Sequence, residues 1–308
     1  MTDSPNPAPI PPIVAPAPNQ PLRAAVWMLG AIVAFSAMAV AGRAASFELD
    51  TFEMMTYRSM IGLVVVLVVA RLAGTLHQVT LRHQRIHWLR NLAHFTGQNL
   101  WFYAITVAPL ALVFALEFTS PLWTMLLAAL FLGERLTWWK VAAGILGFVG
   151  ILTVVQPGAQ PVSIGMIAAA VAAIFFATTA IFTKRLTRTE TITCILFWLT
   201  AMQLVIGLVA CLWDGDMALP STAMLPWLLV IGLGGLTAHF CLTNALSIAP
   251  ASVVMPMDFA RLPAIAVVGV VLYAEPLEWG VILGAALIFA ANYLNILTSQ
   301  RAARSPRV

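Results

Sequence analysis

The sequence predicts an all-α membrane protein, with ten transmembrane helices arranged as two inverted five-helix repeats. Three observations carry this. Apolar residues make up 61% of the chain and charged residues 9%, with a mean hydropathy of +0.93, whereas a soluble domain carries about 25% charged residues. No aqueous core could hide so much apolar surface, so the solvent is lipid. Second, the chain matches itself at a fixed shift: Ala108-Pro109 falls on Ala249-Pro250, a displacement of 249 − 108 = 141 residues. At that shift Phe35 falls on Phe176, Ala39 on Ala180, Ala104 on Ala245, Val113 on Val254, Glu117 on Asp258, Phe118 on Phe259, Glu134 on Glu275, Leu136 on Leu277 and Trp138 on Trp279. Third, basic residues collect in alternate connections.

Residues 1–21 are proline-rich and lack a basic start before an apolar stretch, which predicts a disordered cytoplasmic tail rather than a cleaved signal. The first repeat, 22–158, holds apolar spans at 23–43, 54–73, 88–107, 110–132 and 138–155. The second, 159–298, holds 162–183, 192–213, 224–247, 251–273 and 277–297, and 299–308 is a basic cytoplasmic tail. Each span has the roughly 20 residues needed to cross about 30 Å of hydrocarbon. Ala108-Pro109 and Ala249-Pro250 are tight turns between spans.

With the N-terminus inside, cytoplasmic segments receive Arg23; Arg71, Arg82, Arg85 and Arg90; Arg135 and Lys140; Lys184, Arg185 and Arg188; and Arg301, Arg304 and Arg307. The other face receives acids: Glu48, Asp50, Glu53, Asp214, Asp216, Glu275 and Glu278. The positive-inside rule then predicts both termini in the cytoplasm. Five spans per repeat is an odd number, so the second copy enters the bilayer upside down, an arrangement that places a shared site near mid-depth. The spread of the basic residues between spans argues against nucleic acid as a partner. Cys194, Cys211 and Cys241 have no metal or disulfide spacing, and no metal, cofactor or catalytic constellation is expected.

The stretch from Ala104 to Gly158 resembles the EamA repeat of the drug/metabolite transporter superfamily. It carries the Ala-Pro turn, a proline-interrupted fourth helix (Pro121), a glutamate opening the next connection (Glu134) and a glycine-bearing fifth helix (Gly144, Gly147, Gly150). The stretch from Ala245 to Leu297 repeats the turn, the glutamate (Glu275) and the small-residue helix. This resemblance implies a secondary transporter of the bacterial inner membrane, functional as a monomer, exporting amino acids or similar small zwitterionic metabolites by alternating access. Its partners are then a small-molecule substrate and the bilayer. The alternative substrate class is cationic drugs or a cofactor-like metabolite such as S-adenosylmethionine. The second copy departs from the first at Leu262, which answers Pro121 with Pro263 beside it, predicting a displaced break in the ninth helix.

Ionisable groups inside a span cost about 2.5–3.5 kcal/mol each on insertion scales, so those present need partners or water. Asp258 and Arg261 are three apart on one helix, and either pair locally or meet the two charges of a zwitterion. Glu117 has no base within four positions and must pair across helices, face water or hold a proton. Arg43 is expected to snorkel, to pair with Glu48 or Asp50, or to sit at the cavity mouth. Arg58 either pairs with Glu53 or sits at the cavity mouth. Asn91, His94, Gln98 and Trp101 share one face of the third span and must look inward, as glue or as cavity wall. Thr237, His239, Thr243 and Asn244 form the less regular counterpart, His239 falling on Gln98. Trp123 lies too deep for an interfacial belt and is a cavity candidate. Pro121, Pro256 and Pro263 bend the fourth and ninth helices beside Glu117 and Asp258.

Overall fold

The computed structural model describes residues 19–108, 110–155, 163–215, 217–262 and 279–304, with 265 and 271. Among these the regular elements are all helical: α1 (Pro21–Ala45), α2 (Thr51–Leu72), α3 (Gln84–Val107), α4 (Leu110–Glu117), α5 (Ser120–Leu132), α6 (Trp138–Val155), α7 (Ile164–Leu186), α8 (Ile192–Asp214), α9 (Leu225–Ile248), α10 (Ala251–Val254), a 3₁₀ stretch (Met255–Ala260) and α11 (Trp279–Arg304). Local chemistry sets the boundaries. Asp50 and Glu53 cap α2 reciprocally, each accepting the other's backbone N–H at 2.8 Å, and Thr191 accepts from Cys194 N at the start of α8. Gly133 and Gly215 end α5 and α8 in the left-handed region, at φ 65° and 76°.

Helices α1, α2, α7, α8 and α9 are each long and apolar enough to cross a membrane. At 1.5 Å per residue, α3 is as long, but its polar face lowers its hydropathy. Outward positions stay apolar: Val26, Leu29 and Val33 on α1 and Val64, Val68 and Leu72 on α2 are exposed, which suits hydrocarbon and not water. The chain is a multi-pass membrane protein.

The main helix partners are α1 with α9, α3 with α7, α2 with α8, and α6 with α11. Exchanging the two 141-residue units turns α1·α9 into α7·α3 and leaves α2·α8 and α6·α11 unchanged. The pairing maps onto itself. At the α6·α11 contact a Cβ on Gly150 would lie 2.9 Å from Gly284 O, so only glycine permits that approach.

Both turns after the third and eighth spans have one geometry. Ala108 N bonds Ala104 O and Ala249 N bonds Ala245 O, with both caps extended. The fourth span breaks at Phe118-Thr119, between α4 and α5. Pro121 lacks the N–H that would bond to Glu117 O, so the ladder fails at Glu117. The ninth span leaves α geometry at Met255, with Pro256 in the first turn of the 3₁₀ stretch. The interruption falls at Pro256, one of the expected bends, and its last two residues, Phe259 and Ala260, are the register equivalents of Phe118 and Thr119; Pro263 lies outside the described residues.

Two sets of bonds tie the halves together at opposite ends. At the end holding Arg135 and Lys140, Glu134 accepts from Ala251 N (2.8 Å), Ser252 N (3.0 Å) and Ser252 Oγ, capping α10. There Lys140 Nζ donates to Ser252 Oγ at 2.8 Å, and within the second half Lys184 Nζ donates to Leu246 O and Ala249 O, the orphan carbonyls ending α9. At the other end Glu53 accepts from Ala218 N, Glu48 from Ser221 N and Oγ, and Tyr57 Oη donates to Ala218 O.

Candidate functional site

The broken fourth and ninth spans meet at one wall of a cavity with about 710 Å³ of atom-free space, part of it open to the outside. Its polar wall is an ion triad. Arg261 bonds Glu117 through Nη2 and, by the same atom, Asp258 Oδ2 at 2.8 Å. Glu117, Asp258 and Arg261 are 6%, 8% and 3% exposed. The indole of Trp101 donates to the second oxygen of Glu117 at 2.6 Å. Three rings, Phe35, Phe114 and Phe118, stand 5.1–5.7 Å from the guanidinium carbon, cation–π neighbours that replace lost hydration. Two carboxylates against one guanidinium leave the triad one negative charge in excess. Among the described residues Asp258 Oδ1 and Arg261 Nε are buried without hydrogen-bond partners.

Across the cavity stands a pair of histidines. His94 Nε2 and His239 Nε2 are 3.1 Å apart, with ring centroids at 4.5 Å and planes at 88°. One ring donates and the other accepts, so the contact holds one shared proton. Phe35 meets His239 edge-on and Phe176 lies beside His94. Between triad and histidines the lining is aromatic and thioether: Phe35, Phe176, Met28, Met38 and Met255.

Seven residues singled out from sequence line this cavity: His94, Gln98, Trp101, Glu117, His239, Asp258 and Arg261. The two readings of Asp258 and Arg261 turn out compatible, since they pair with each other and line the cavity. Glu117 takes the cross-helix option, joining the two halves.

Six others are placed elsewhere. Trp123 is 40% exposed and lies on an outward groove with Leu126, Ile167 and Ile174. Its depth in the helix was no guide, because depth does not report which face a residue is on. Asn244 is half-buried and bonds back to Phe240 O on its own helix at 2.8 Å; Thr237 is exposed. Arg43 ends α1 half-buried, while Glu48 and Asp50 are engaged with Ser221 and the α2 cap. Among the described residues no ion pair forms at Arg43 or Arg58, so neither joins the expected acid. Arg58 lines a separate small pocket instead. Asn91, on the striped face of α3, bonds Trp198 O and Met202 Sδ as structural glue.

Sequence reasoning missed Phe35, Phe176, Met38, Thr179, Ser120 and Leu242 as lining residues. The signal was in the shift itself. Six lining pairs are 141 apart: Phe35 and Phe176, Met38 and Thr179, Gln98 and His239, Trp101 and Leu242, Glu117 and Asp258, Ser120 and Arg261.

The EamA-like transporter family matches residues 22–156 and again 163–297. An S-adenosylmethionine uptake transporter of Rickettsia bellii (strain RML369-C) is 28% identical over 284 residues, covering 92% of this chain and 96% of its own. A riboflavin transporter of Vibrio cholerae is 29% identical, covering 88% and 91%. The pseudopaline exporter CntI of Pseudomonas aeruginosa is 29% identical, covering 71% and 77%. A crystal structure with 18% identity superposes with a TM-score of 0.76 over 92% of this chain and 99% of that one, a likeness of fold.

Proposed function

Because the chain belongs to the EamA-like transporter family, we propose that its cavity is the substrate site of a secondary transporter cycling by alternating access in the bacterial inner membrane. The protein is a membrane transporter and not an enzyme; the finer reading concerns architecture and cargo. Ten spans form two inverted five-helix halves, with both termini cytoplasmic, and the self-mapping helix pairing supports that arrangement. Under it, the Glu134–Ser252 and Glu53–Ala218 contacts lie at opposite membrane faces and are exchanged as the halves rock.

The cargo is a metabolite carrying an amino-acid zwitterion. One observation carries this: the Glu117–Arg261–Asp258 triad offers both charge signs with one acid in excess. An ammonium group meets the acids, and a carboxylate meets Arg261. The Trp101, Phe35 and Phe176 rings beside the triad favour a planar or cationic extension over a small aliphatic side chain. S-adenosylmethionine combines a zwitterion, a sulfonium and an adenine ring, and it is the cargo named for a relative matched over nine-tenths of both chains. Plain amino acids are the second reading, favoured by the same guanidinium. Relatives named for uptake and for export both occur, as expected where imposed gradients set the direction of a symmetric cycle.

Counterflow in proteoliposomes tests this directly. Labelled S-adenosylmethionine is offered against the twenty amino acids, riboflavin and a cationic dye, with and without a pH gradient. Saturable exchange of S-adenosylmethionine, competed by amino acids, is expected. Exchange confined to dyes or to riboflavin overturns the zwitterion reading.

A further inference from the structure

Beyond the main cavity, two buried arginines, Arg58 and Arg90, have no ion-pair partner among the described residues. Arg58, on α2, is 5% exposed and points between α8 and α9. Its Nη1 makes long contacts to Gln203 Oε1 at 3.4 Å and Met55 Sδ at 3.9 Å. Its Nε has no partner among the described residues, and neither does Nε2 of Gln203, whose side chain is fully buried. Gly235 admits the guanidinium: a Cβ there would lie 2.4 Å from Nε and 3.0 Å from Nη2. A small pocket bounded by Arg58, Ser59, Gly62, Thr200, Gln203 and Gly232 lies at these donors.

The surroundings add positive charge. Arg90 on α3, also buried, bonds Thr183 Oγ1 at 2.7 Å and Asn91 Oδ1 at 3.1 Å, and its Nη2 is unpartnered among the described residues. Arg90 lies within electrostatic reach of Arg58. The buried acids among the described residues are committed elsewhere: Glu53 to Asp50 N and Ala218 N, and Glu117 and Asp258 to Arg261. A buried ion without a partner is strongly disfavoured in apolar surroundings, and the membrane interior is the harshest case. The unpartnered atoms here are all N–H donors, and their complement is an acceptor carrying negative charge.

We propose that this pocket between α2, α8 and α9 binds a small monovalent anion, held by Arg58 Nε and Gln203 Nε2, with Arg90 supplying long-range field. Its free room is about 10 Å³ against about 70 Å³ in the main cavity, space for one water-sized particle, so it takes a single small ion and not a whole metabolite. The His94–His239 pair stands between the two sites. The proposal does not depend on which cargo the main cavity carries.

Melting of the purified protein in detergent tests it, comparing sodium chloride, bromide, nitrate and acetate with gluconate at equal ionic strength. A saturable rise of a few degrees is expected with the small anions. Arg58→Met and Gln203→Leu should each abolish the rise, while Glu134→Gln keeps it. Should Arg58→Met not fold, bromide anomalous scattering from crystals of the unsubstituted protein is expected to peak between Arg58 Nε and Gln203 Nε2. Stabilisation by halides and acetate alike identifies a site for free anions; stabilisation by acetate alone identifies one that reads a carboxylate of the cargo. The proposal is overturned if no anion exceeds gluconate and bromide leaves no density, or if the rise survives Arg58→Met. Counterflow specificity is a separate readout, so its failure leaves this test intact.

Discussion

The two halves contribute equivalent positions to the cavity wall but different chemistry at most of them. Phe35 and Phe176 are the same residue, and Glu117 and Asp258 keep the acid. At equivalent positions Gln98 corresponds to His239, Trp101 to Leu242, Met38 to Thr179, and Ser120 to Arg261. Duplication therefore fixes where a wall residue stands, and divergence decides what it does. The arginine that bonds both acids occurs in the second half alone, against a serine in the first. The indole that anchors Glu117 occurs in the first alone, against a leucine. A cavity lined by a strict copy would hold two carboxylates and no cation.

Arg261 is where this asymmetry is most costly to break. Removing it leaves two buried carboxylates facing each other, and breaking a buried pair in this way costs about 3–5 kcal/mol. Arg261→Met should therefore lower the melting temperature sharply and abolish counterflow. It follows that loss of transport in this variant alone does not separate a zwitterionic cargo from a cationic one. Adding Glu117→Gln and Asp258→Asn to Arg261→Met should restore melting to near the parent value while transport stays absent. Melting that does not recover would mean the triad is not the source of the instability.

The acids sharpen the comparison at a smaller scale. Glu117 holds both Arg261 and the Trp101 indole, whereas Asp258 holds Arg261 alone. Charge-assisted hydrogen bonds contribute about 1.5–3 kcal/mol each, so Glu117→Gln should reduce counterflow by about tenfold or more, with the smaller loss in Asp258→Asn. Equal losses would show that register equivalence, and not the bonding, governs function. On the facing wall, His239→Gln gives the second half the residue of the first at that position. It should lower transport a few-fold, and His94→Gln added to it should cost less than the sum, because the two rings share one contact.

Composition and the repeat made the helical membrane fold legible, because hydrocarbon demands long apolar segments and closed backbone bonding. Seven wall residues were legible too, since a polar or charged group in lipid has few places to go. Apolar wall residues carry no such mark: Phe35, Phe176 and Met38 are indistinguishable in composition from lipid-facing neighbours, and only their shared register separates them. Arg58 shows the opposite limit. Its charge marked it as inward-facing, but nothing in the order of residues tells which neighbouring helix it meets. Its partner Gln203 is 145 positions away, and the expected Glu53 is bound to a different loop.

Trp123 gives the smallest expected effect and the cleanest check of which face a helix presents. It stands two residues after Pro121, on a helix that lines the cavity at Ser120, yet its ring shares an outward groove with Leu126, Ile167 and Ile174. An indole there is solvated by lipid, and its replacement by another large apolar ring exchanges one hydrocarbon contact for another. Trp123→Phe should leave counterflow unchanged and shift stability by no more than about 0.5 kcal/mol, the range for substitutions away from packed or paired groups. Ser120→Phe, one helical turn away on the inward face, should by contrast block the cavity beside Arg261 and stop transport. If Trp123→Phe impairs exchange while Ser120→Phe does not, α5 is rotated from the orientation that puts Ser120 on the cavity wall and Trp123 on the outward groove.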